Sequence, residues 1–181
     1  MRGDALGFAI TLDVAGQAVL VVGDDADAAR KRALLEDAGA RVTQLLPAAL
    51  ADDAMARAQV DGARLVLVSA REPALAARVS AAARARGVPV WCSDDPERSD
   101  FAMPAVAQLG PVRIAISTAG GSPTLAGKLR AIFEKQLGER FAEFARALAR
   151  RRPGRTSDER RADVDGFELE LRVRYPDWFA G

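Results

Sequence analysis

A short apolar run that leads directly into a turn and a helix constrains this chain more than any other feature. Residues 18–22 (AVLVV) are continuously apolar, as in strands buried on both faces of a parallel sheet. They lead into Gly23-Asp24-Asp25 and then into a helical stretch that ends at Gly39. Residues at helical spacing are predicted to share one face of that helix: Ala26, Ala29, Ala33 and Leu34. Strand, turn and helix in this order begin a βαβ unit.

The same alternation continues along the chain. Residues 41–46 and 64–68 predict a second and a third strand, separated by an alanine-rich helical segment. A helix is expected from Pro73 to Gly87, and residues 88–92 predict a fourth strand. This order favours an α/β fold, a Rossmann-like parallel sheet with right-handed crossovers over residues 1–109.

The pattern changes after the fourth strand. Residues 94–110 are expected to form a loop, and residues 112–116 a further strand. Ser122 and Pro123 are suited to the N-cap and first position of a helix that runs through Leu137. The segment 110–138 is therefore treated as a second unit, and residues 139–181 as a basic, helical tail.

Two local signals subdivide this tail. The arginine-rich run 150–155 is typical of a linker. Thr156 and Glu159 predict a capping box that opens a last helix, which must end near Pro176.

Composition excludes several classes of function. The 26 basic and 25 acidic side chains nearly cancel, so no overall field favours nucleic acid or an anionic membrane as a partner. The chain has no histidine and a single cysteine, Cys92, which excludes Ser-His-Asp machinery and multi-cysteine metal sites. Proton transfer must depend on carboxylates, lysines or hydroxyls. Without an apolar leader or a run of 18 apolar residues, the expectation is a soluble, cytoplasmic protein.

Three sequence blocks, in this order and spacing, carry a resemblance to a known family: LDVAGQAVLVVG, RKRALLEDAGARVTQLLP and GVPVWCSDDPERSDFAMPAVAQLGPVRIAISTAGGSPTLAGKLR. Over roughly residues 10–137 the chain resembles the precorrin-2 dehydrogenase and sirohydrochlorin ferrochelatase family, known as the N-terminal half of siroheme synthase. The last block is the most specific, because it combines an aspartate loop, a Phe-x-x-Pro, a Gly-Pro strand and a Gly-Gly-x-Pro turn.

The resemblance implies an NAD-dependent oxidation of precorrin-2 to sirohydrochlorin. In several members it also implies insertion of ferrous iron to give siroheme. It further implies a homodimer whose dimerisation segment begins near Gly110, and an active site that binds a tetrapyrrole.

The cofactor would bind at the first turn and at the neighbouring strand ends. The expected cofactor-binding residues are Gly23, Asp25, Ala26, Asp27, Leu46, Pro47 and Ser69. Family members usually have three glycines where this chain has Gly23-Asp24-Asp25, and two carboxylates there would repel a pyrophosphate. The alternative is that the carboxylates stabilise the helix N-terminus through its dipole. Arg71 is a possible phosphate partner or a plain surface arginine.

Asp94 matches the aspartate that the family uses in catalysis, and it lies just past the carboxyl end of a strand. It could take the proton released as hydride leaves precorrin-2, or act as a metal ligand during iron insertion. The alternative is an aspartate that only caps a turn.

The substrate's carboxylates would be held by four residues of the small-residue loop: Ser117, Thr118, Gly120 and Gly121. The alternative for that loop is a plain strand-to-helix turn. The arginines between 140 and 161 could also face those carboxylates, or could simply be solvated. A third possibility is that the tail packs across a dimer through Phe141 and Phe144.

Three functions remain open at this point. The leading one is the NAD-dependent dehydrogenase. The second is a tetrapyrrole chelatase or binding protein that does not use NAD, which the altered glycine turn favours. The third is a non-catalytic regulatory or scaffold dimer with the same fold.

Overall fold

The computed structural model of the chain describes residues 7–70 and 72–174. These residues divide into two compact units. The first contains the described residues up to Ala105 together with Ile116–Gly127, and the second contains Val106–Ala115 together with the described residues from Lys128 onward. The three-part division at 109/110 and 138/139 stays a prediction.

A four-stranded parallel sheet forms the centre of the first unit. Its strands are β1 (Ala18–Val22), β2 (Arg41–Leu45), β3 (Leu65–Val68) and β4 (Val90–Cys92). They lie in the order β2-β1-β3-β4, and all three pairings are parallel. The predicted α/β fold is confirmed. The first strand was predicted with its observed bounds, the predictions for β2 and β3 were one residue too long, and the prediction for β4 was two residues too long.

Helices cover both faces of this sheet. They are α1 (Ala26–Asp37), α2 (Asp53–Val60) and α3 (Pro73–Arg84), with a 3-10 helix over Pro47–Leu50. Because side chains alternate along a strand, Leu20 and Val22 face one core cluster with α2 and α3, whereas Val19 and Val21 face another with α1. Cys92 is buried in the first of these clusters.

The predicted face of α1 is wrong. The residues assigned to it are all exposed: Ala26, Ala29, Ala33 and Leu34. The buried residues of the helix are Ala28 and Lys31 instead. The prediction missed this face because a lysine lies at its centre, and a lysine is rarely buried unless its charge is paired.

The second unit is built on a hairpin and a long helix. The hairpin pairs β5 (Ala105–Leu109) with β6 (Val112–Ile116), which are antiparallel because two residues join them. Strand β5 falls in the segment predicted as a loop. Gly110 in the turn has a φ of +61°, and a Cβ there would lie 3.1 Å from the carbonyl oxygen of Ala142. Glycine is therefore required for the close approach of the helix.

The long helix α4 (Pro123–Arg151) continues past the expected end at Leu137, with a kink at Gly138, whose φ is +58°. Helix α5 (Ser157–Ala162) begins with the predicted capping box of Thr156 and Glu159, and this part of the prediction is confirmed. The predicted end near Pro176 is wrong. The helix ends at Ala162, and the φ of +77° at Gly166 lies outside the right-handed helical region.

Over the residues that the structure describes, no helix is both long and apolar enough to cross a membrane.

Candidate functional site

The carboxyl ends of β1, β3 and β4 bring three predicted site segments to one edge of the sheet. The amide of Ser69 donates to the carbonyl of Val22 at 2.8 Å, and the amide of Ser93 donates to the carbonyl of Val68 at 2.8 Å. Gly23, Ser69 and Asp94 thus each follow a strand that ends at this edge. Open α/β sheets bind their ligands in this position.

Gly23 makes the tight turn between β1 and α1 possible. Its φ of +141° is accessible only to glycine, and a Cβ there would lie 3.2 Å from the Cβ atoms of both Ala28 and Ser69. The first glycine of the turn is therefore a steric requirement of the fold. It holds the N-terminus of α1 against the end of β3.

Asp25 caps α1. Its Oδ1 accepts a hydrogen bond from the amide of Ala28 at 2.7 Å, and its backbone is extended. This is the geometry of an N-cap, in which a side-chain oxygen satisfies one of the free amides of the first turn. Asp25 therefore stabilises the N-terminus of α1, which is the alternative to a role in cofactor binding.

Asp27 is the centre of a polar network beside that cap. It accepts a hydrogen bond from the Ser69 hydroxyl at 2.8 Å and forms ion pairs with Arg30 and Lys31. Partial burial alone would raise the pKa of Asp27, but the hydrogen bonds from Lys31, Ser69 and Arg30 outweigh it and lower this pKa from 3.8 to about 2. Asp27 is therefore ionised at any physiological pH.

Lys31, which was not predicted from the sequence, is the buried member of this network. Only 5% of its side chain is exposed, and its ammonium group lies 4.2 Å from the centroid of the Trp91 ring. The spacing of Asp27 and Lys31, four residues apart on one helix, was the signal in the sequence that could have identified the pair.

This turn does not fit a dinucleotide pyrophosphate in the way a three-glycine turn does. The helix amide of Ala28 is already occupied by Asp25, and the Ser69 hydroxyl is occupied by Asp27. Asp24 adds an exposed third carboxylate. A doubly charged pyrophosphate would meet three carboxylates, and the cationic partners of these among the described residues are Arg30 and Lys31, both paired with Asp27.

The remaining predicted cofactor residues lie around the same edge. Ala26 is the exposed first residue of α1. Leu46, which follows β2, is 58% exposed, and Pro47 begins the 3-10 helix. Arg71 lies outside the described residues.

Asp94 differs sharply from the carboxylates around it. It lies two residues after β4 with a φ of +56°, it is exposed, and it forms no hydrogen bond or ion pair with any described residue. Its neighbour Asp95 is bound to Arg98, which holds the pKa of Asp95 below its ordinary value. Asp100 is bound to Arg84. Of the three aspartates in this loop, Asp94 alone has no partner among the described residues.

The described residues contain no group of three or more Asp, Glu or Cys side chains arranged to hold a metal ion. Burial raises the pKa of the Cys92 thiol to about 11, so this thiol is protonated and unsuited to metal binding. The metal-ligand role of Asp94 stays a prediction.

The small-residue loop lies between β6 and α4. The Ser122 hydroxyl accepts from the amide of Leu125, and Pro123 is the first residue of α4, as predicted. Thr118 holds the loop internally, because its Oγ1 accepts from the amide of Ser122 and its carbonyl accepts from the amide of Gly121. Ser117 and Gly120 are exposed, and so is Gly121. Their role in substrate binding stays a prediction.

Several arginines of the tail are committed to partners within the chain. Arg151 and Arg155 both bind Asp163, each at 2.9 Å, and Arg146 binds Glu139. These residues are less available to a substrate than the arginine count suggests.

Comparison with known proteins gives a consistent set of relatives. Residues 10–105 match the family described as putative NAD(P)-binding. The siroheme synthase of Methylococcus capsulatus is 38% identical over 72% of this chain and 30% of its own length. The siroheme synthase of Thioalkalivibrio sulfidiphilus is 30% identical over 94% of this chain and 34% of its own length.

The chain thus spans about a third of the length of these curated relatives. Among solved structures, one described as SirC, precorrin-2 dehydrogenase, superposes with a TM-score of 0.64 at 19% identity, over 86% of each chain. This similarity independently supports the fold.

Proposed function

The chain belongs to the putative NAD(P)-binding family, and we propose that it oxidises precorrin-2 to sirohydrochlorin in siroheme biosynthesis. Its similarity to siroheme synthases and the fold it shares with a precorrin-2 dehydrogenase support this reaction. The single observation that carries the proposal is Asp94, a carboxylate at the carboxyl edge of the sheet that has no partner among the described residues.

In this reaction Asp94 accepts the proton that is released as a hydride leaves precorrin-2. The chain has no histidine, so proton transfer depends on carboxylates, lysines or hydroxyls, and Asp94 supplies a carboxylate at this edge. The turn that follows β4 fixes the position of Asp94, and no arginine among the described residues pairs with its oxygens. A positioned general base of this kind contributes roughly 10²- to 10⁴-fold to a rate.

The family match supports a nicotinamide cofactor, which when bound supplies the hydride acceptor. We propose NAD in this role, next to Gly23, Leu46 and Pro47. The carboxylates of Asp24, Asp25 and Asp27 would weaken its binding, because they belong to the turn that would hold the pyrophosphate.

Further parts of the proposal follow from the same resemblance. Ser117, Thr118, Gly120 and Gly121 would hold the acetate and propionate groups of the tetrapyrrole. The segment 110–138 would form a homodimer, and the protein would act in the cytoplasm. With ferrous iron as a second substrate, Asp94 would help the ion to lose water before insertion into sirohydrochlorin.

A second candidate function is a tetrapyrrole chelatase or binding protein that uses no nicotinamide. One specific observation favours it. Asp25 and Asp27 occupy the α1 amide and the Ser69 hydroxyl that a dinucleotide would otherwise contact.

One experiment separates the two candidates. Purified protein is mixed with NAD and precorrin-2, and the formation of NADH is followed by its near-ultraviolet absorbance. The dehydrogenase proposal predicts NADH in proportion to protein, whereas its absence at high protein and high NAD would refute that proposal. In a parallel arm, sirohydrochlorin and ferrous iron test the chelatase. Tetrapyrrole binding without either reaction would indicate the non-catalytic dimer.

A further inference from the structure

Residues 167–174 (FELELRVR), which we call the tail segment, follow α5 and form no secondary structure within the described chain. Apolar and charged residues alternate along it, as in a strand with one apolar face. Leu169, Leu171 and Val173 are 46%, 49% and 70% exposed. Beyond Phe167, its backbone groups have no hydrogen-bond partner among the described residues. An apolar row with unpaired backbone groups is what an edge strand offers to another chain.

The start of the tail segment is fixed on the second unit. The ring of Phe167 stacks on that of Phe144, with centroids 5.5 Å apart and an interplanar angle of 16°, and lies 5.7 Å from the ring of Phe141. Phe141 and Phe144 of α4 therefore both contact the first residue of the tail segment. The residues after it are presented from a defined point on α4.

The charges of the tail segment are divided between its two halves. Glu168 and Glu170 make the first half acidic, and Arg172 and Arg174 make the second half basic. A second copy that runs antiparallel, with Leu171 opposite Leu171, would meet each charge with its opposite. The opposed pairs in this register are Glu168–Arg174, Glu170–Arg172 and, on the apolar face, Leu169–Val173 and Leu171–Leu171.

Other arrangements of two copies lose this complementarity. A parallel, in-register pair would place every glutamate opposite a glutamate and every arginine opposite an arginine. An antiparallel shift by two residues would oppose Glu170 to itself or Arg172 to itself, and like charges directly opposite are destabilising. A shift by one residue would set apolar side chains against charged ones. Among these arrangements, only the antiparallel register centred on Leu171 opposes every charge to its opposite and every apolar side chain to another apolar side chain.

We propose that the tail segment pairs antiparallel with the tail segment of a second copy of this chain, about a two-fold axis at Leu171. The interface is isologous, as closed dimers require, and it lies outside the segment 110–138. A two-stranded ribbon by itself is marginally stable, so the association is expected to be weak and to depend on protein concentration. It does not depend on the proposed enzymatic activity.

Cysteine cross-linking of the full chain tests the register. In the proposed pairing only residue 171 lies opposite itself, with Cα atoms roughly 5 Å apart, a distance that a disulfide spans. Under mild oxidation, Leu171→Cys should form covalent dimers at least about tenfold faster than Leu169→Cys, because residue 169 faces residue 173. Mixing Leu169→Cys with Val173→Cys should restore fast cross-linking. The parent chain is the background control, since Cys92 is buried.

Charge reversal in the Leu171→Cys background provides the second measurement. Glu168→Arg with Glu170→Arg, or Arg172→Glu with Arg174→Glu, should abolish cross-linking of each variant alone, and mixing the two should restore it. Equal rates for Leu171→Cys and Leu169→Cys, or cross-linking unaffected by charge reversal, would overturn the proposal. A dimer that forms through another part of the chain would persist in these variants, but its cross-linking rates would not depend on the cysteine position or on charge reversal in this way. All substituted side chains are exposed, so loss of fold is not expected.

Discussion

The ammonium group of Lys31 lies over the ring of Trp91, 4.2 Å from its centroid, although Lys31 is on α1 and Trp91 is on β4. The same ammonium group is paired with Asp27, which in turn accepts from Ser69 at the end of β3. A buried charge thus links the first helix to two strands at the edge where the candidate site lies. The buried ammonium group of Lys31 is stabilised by the carboxylate of Asp27.

The first prediction concerns that carboxylate. Asp27→Asn leaves the ammonium group of Lys31 buried without a counter-ion, so the free energy of unfolding should fall by about 3 kcal/mol at neutral pH. Arg30→Ala is the matched control, because Arg30 pairs with the same carboxylate from a 65% exposed position and should cost less than about 1 kcal/mol. Urea unfolding of both variants measures the difference. If Asp27→Asn and Arg30→Ala lower the free energy of unfolding equally, Asp27 is not the essential counter-ion of the buried Lys31.

The second prediction is a pH dependence. The pKa of Asp27 is lowered from 3.8 to about 2 by folding, because the hydrogen bonds from Lys31, Ser69 and Arg30 outweigh the effect of burial. A lowered pKa adds stability that is fully present above the unfolded value and is lost as the pH falls through the folded value. The gap in unfolding free energy between the native chain and Asp27→Asn should therefore shrink by about 2 kcal/mol between about pH 5 and about pH 2. If the difference in unfolding free energy between the two proteins stays constant over this range, folding does not lower the pKa of Asp27.

The third prediction concerns the first turn. Gly23→Ala should lower the free energy of unfolding by about 3 kcal/mol, because the new Cβ meets two neighbours at 3.2 Å and the φ of +141° suits only glycine. Gly62→Ala is the control. Its φ is +74° but its Cβ would meet nothing within 4 Å, so it should cost about 1 kcal/mol. Thermal or denaturant unfolding ranks the pair.

The fourth prediction concerns dinucleotide binding. Asp25→Gly removes a carboxylate from the N-terminus of α1 and frees the amide of Ala28, so NAD should bind about tenfold more tightly than to the native chain. The helix loses little, since glycine replaces an N-cap aspartate at a cost of a few tenths of a kcal/mol. Asp52→Gly removes the corresponding cap of α2 and should leave NAD affinity unchanged. Calorimetric titration measures all three proteins.

The fifth prediction concerns Asp94. Asp94→Asn should lower the rate of precorrin-2 oxidation by about 10²-fold or more while leaving the fold intact, because asparagine tolerates the left-handed backbone at this position. Glu97→Gln neutralises a second exposed acid of the same loop and should keep the native rate. If both variants lose activity equally, the loop as a whole and not the Asp94 carboxylate is what matters.

Much of the fold could be predicted from the sequence. The strands β1 and β3 are unbroken apolar runs, and the N-caps of α4 and α5 are formed by the residues that the sequence singles out. These features depend on neighbouring residues only. The buried face of α1 could not be predicted in this way, because burial of Lys31 depends on Trp91, which lies sixty residues further along the chain.

The candidate site could likewise be predicted from the sequence only in part. The sequence by itself determined that Gly23, Ser69 and Asp94 follow strands and meet at one edge, since parallel strands carry their carboxyl ends to the same side. Only the tertiary structure decided which carboxylates are free there. Arg98 and Arg84 bind Asp95 and Asp100, Asp25 and Asp27 are bound at α1, and Asp94 has no partner among the described residues. Which charges meet depends on distances of a few ångströms between side chains, and the fold sets those distances.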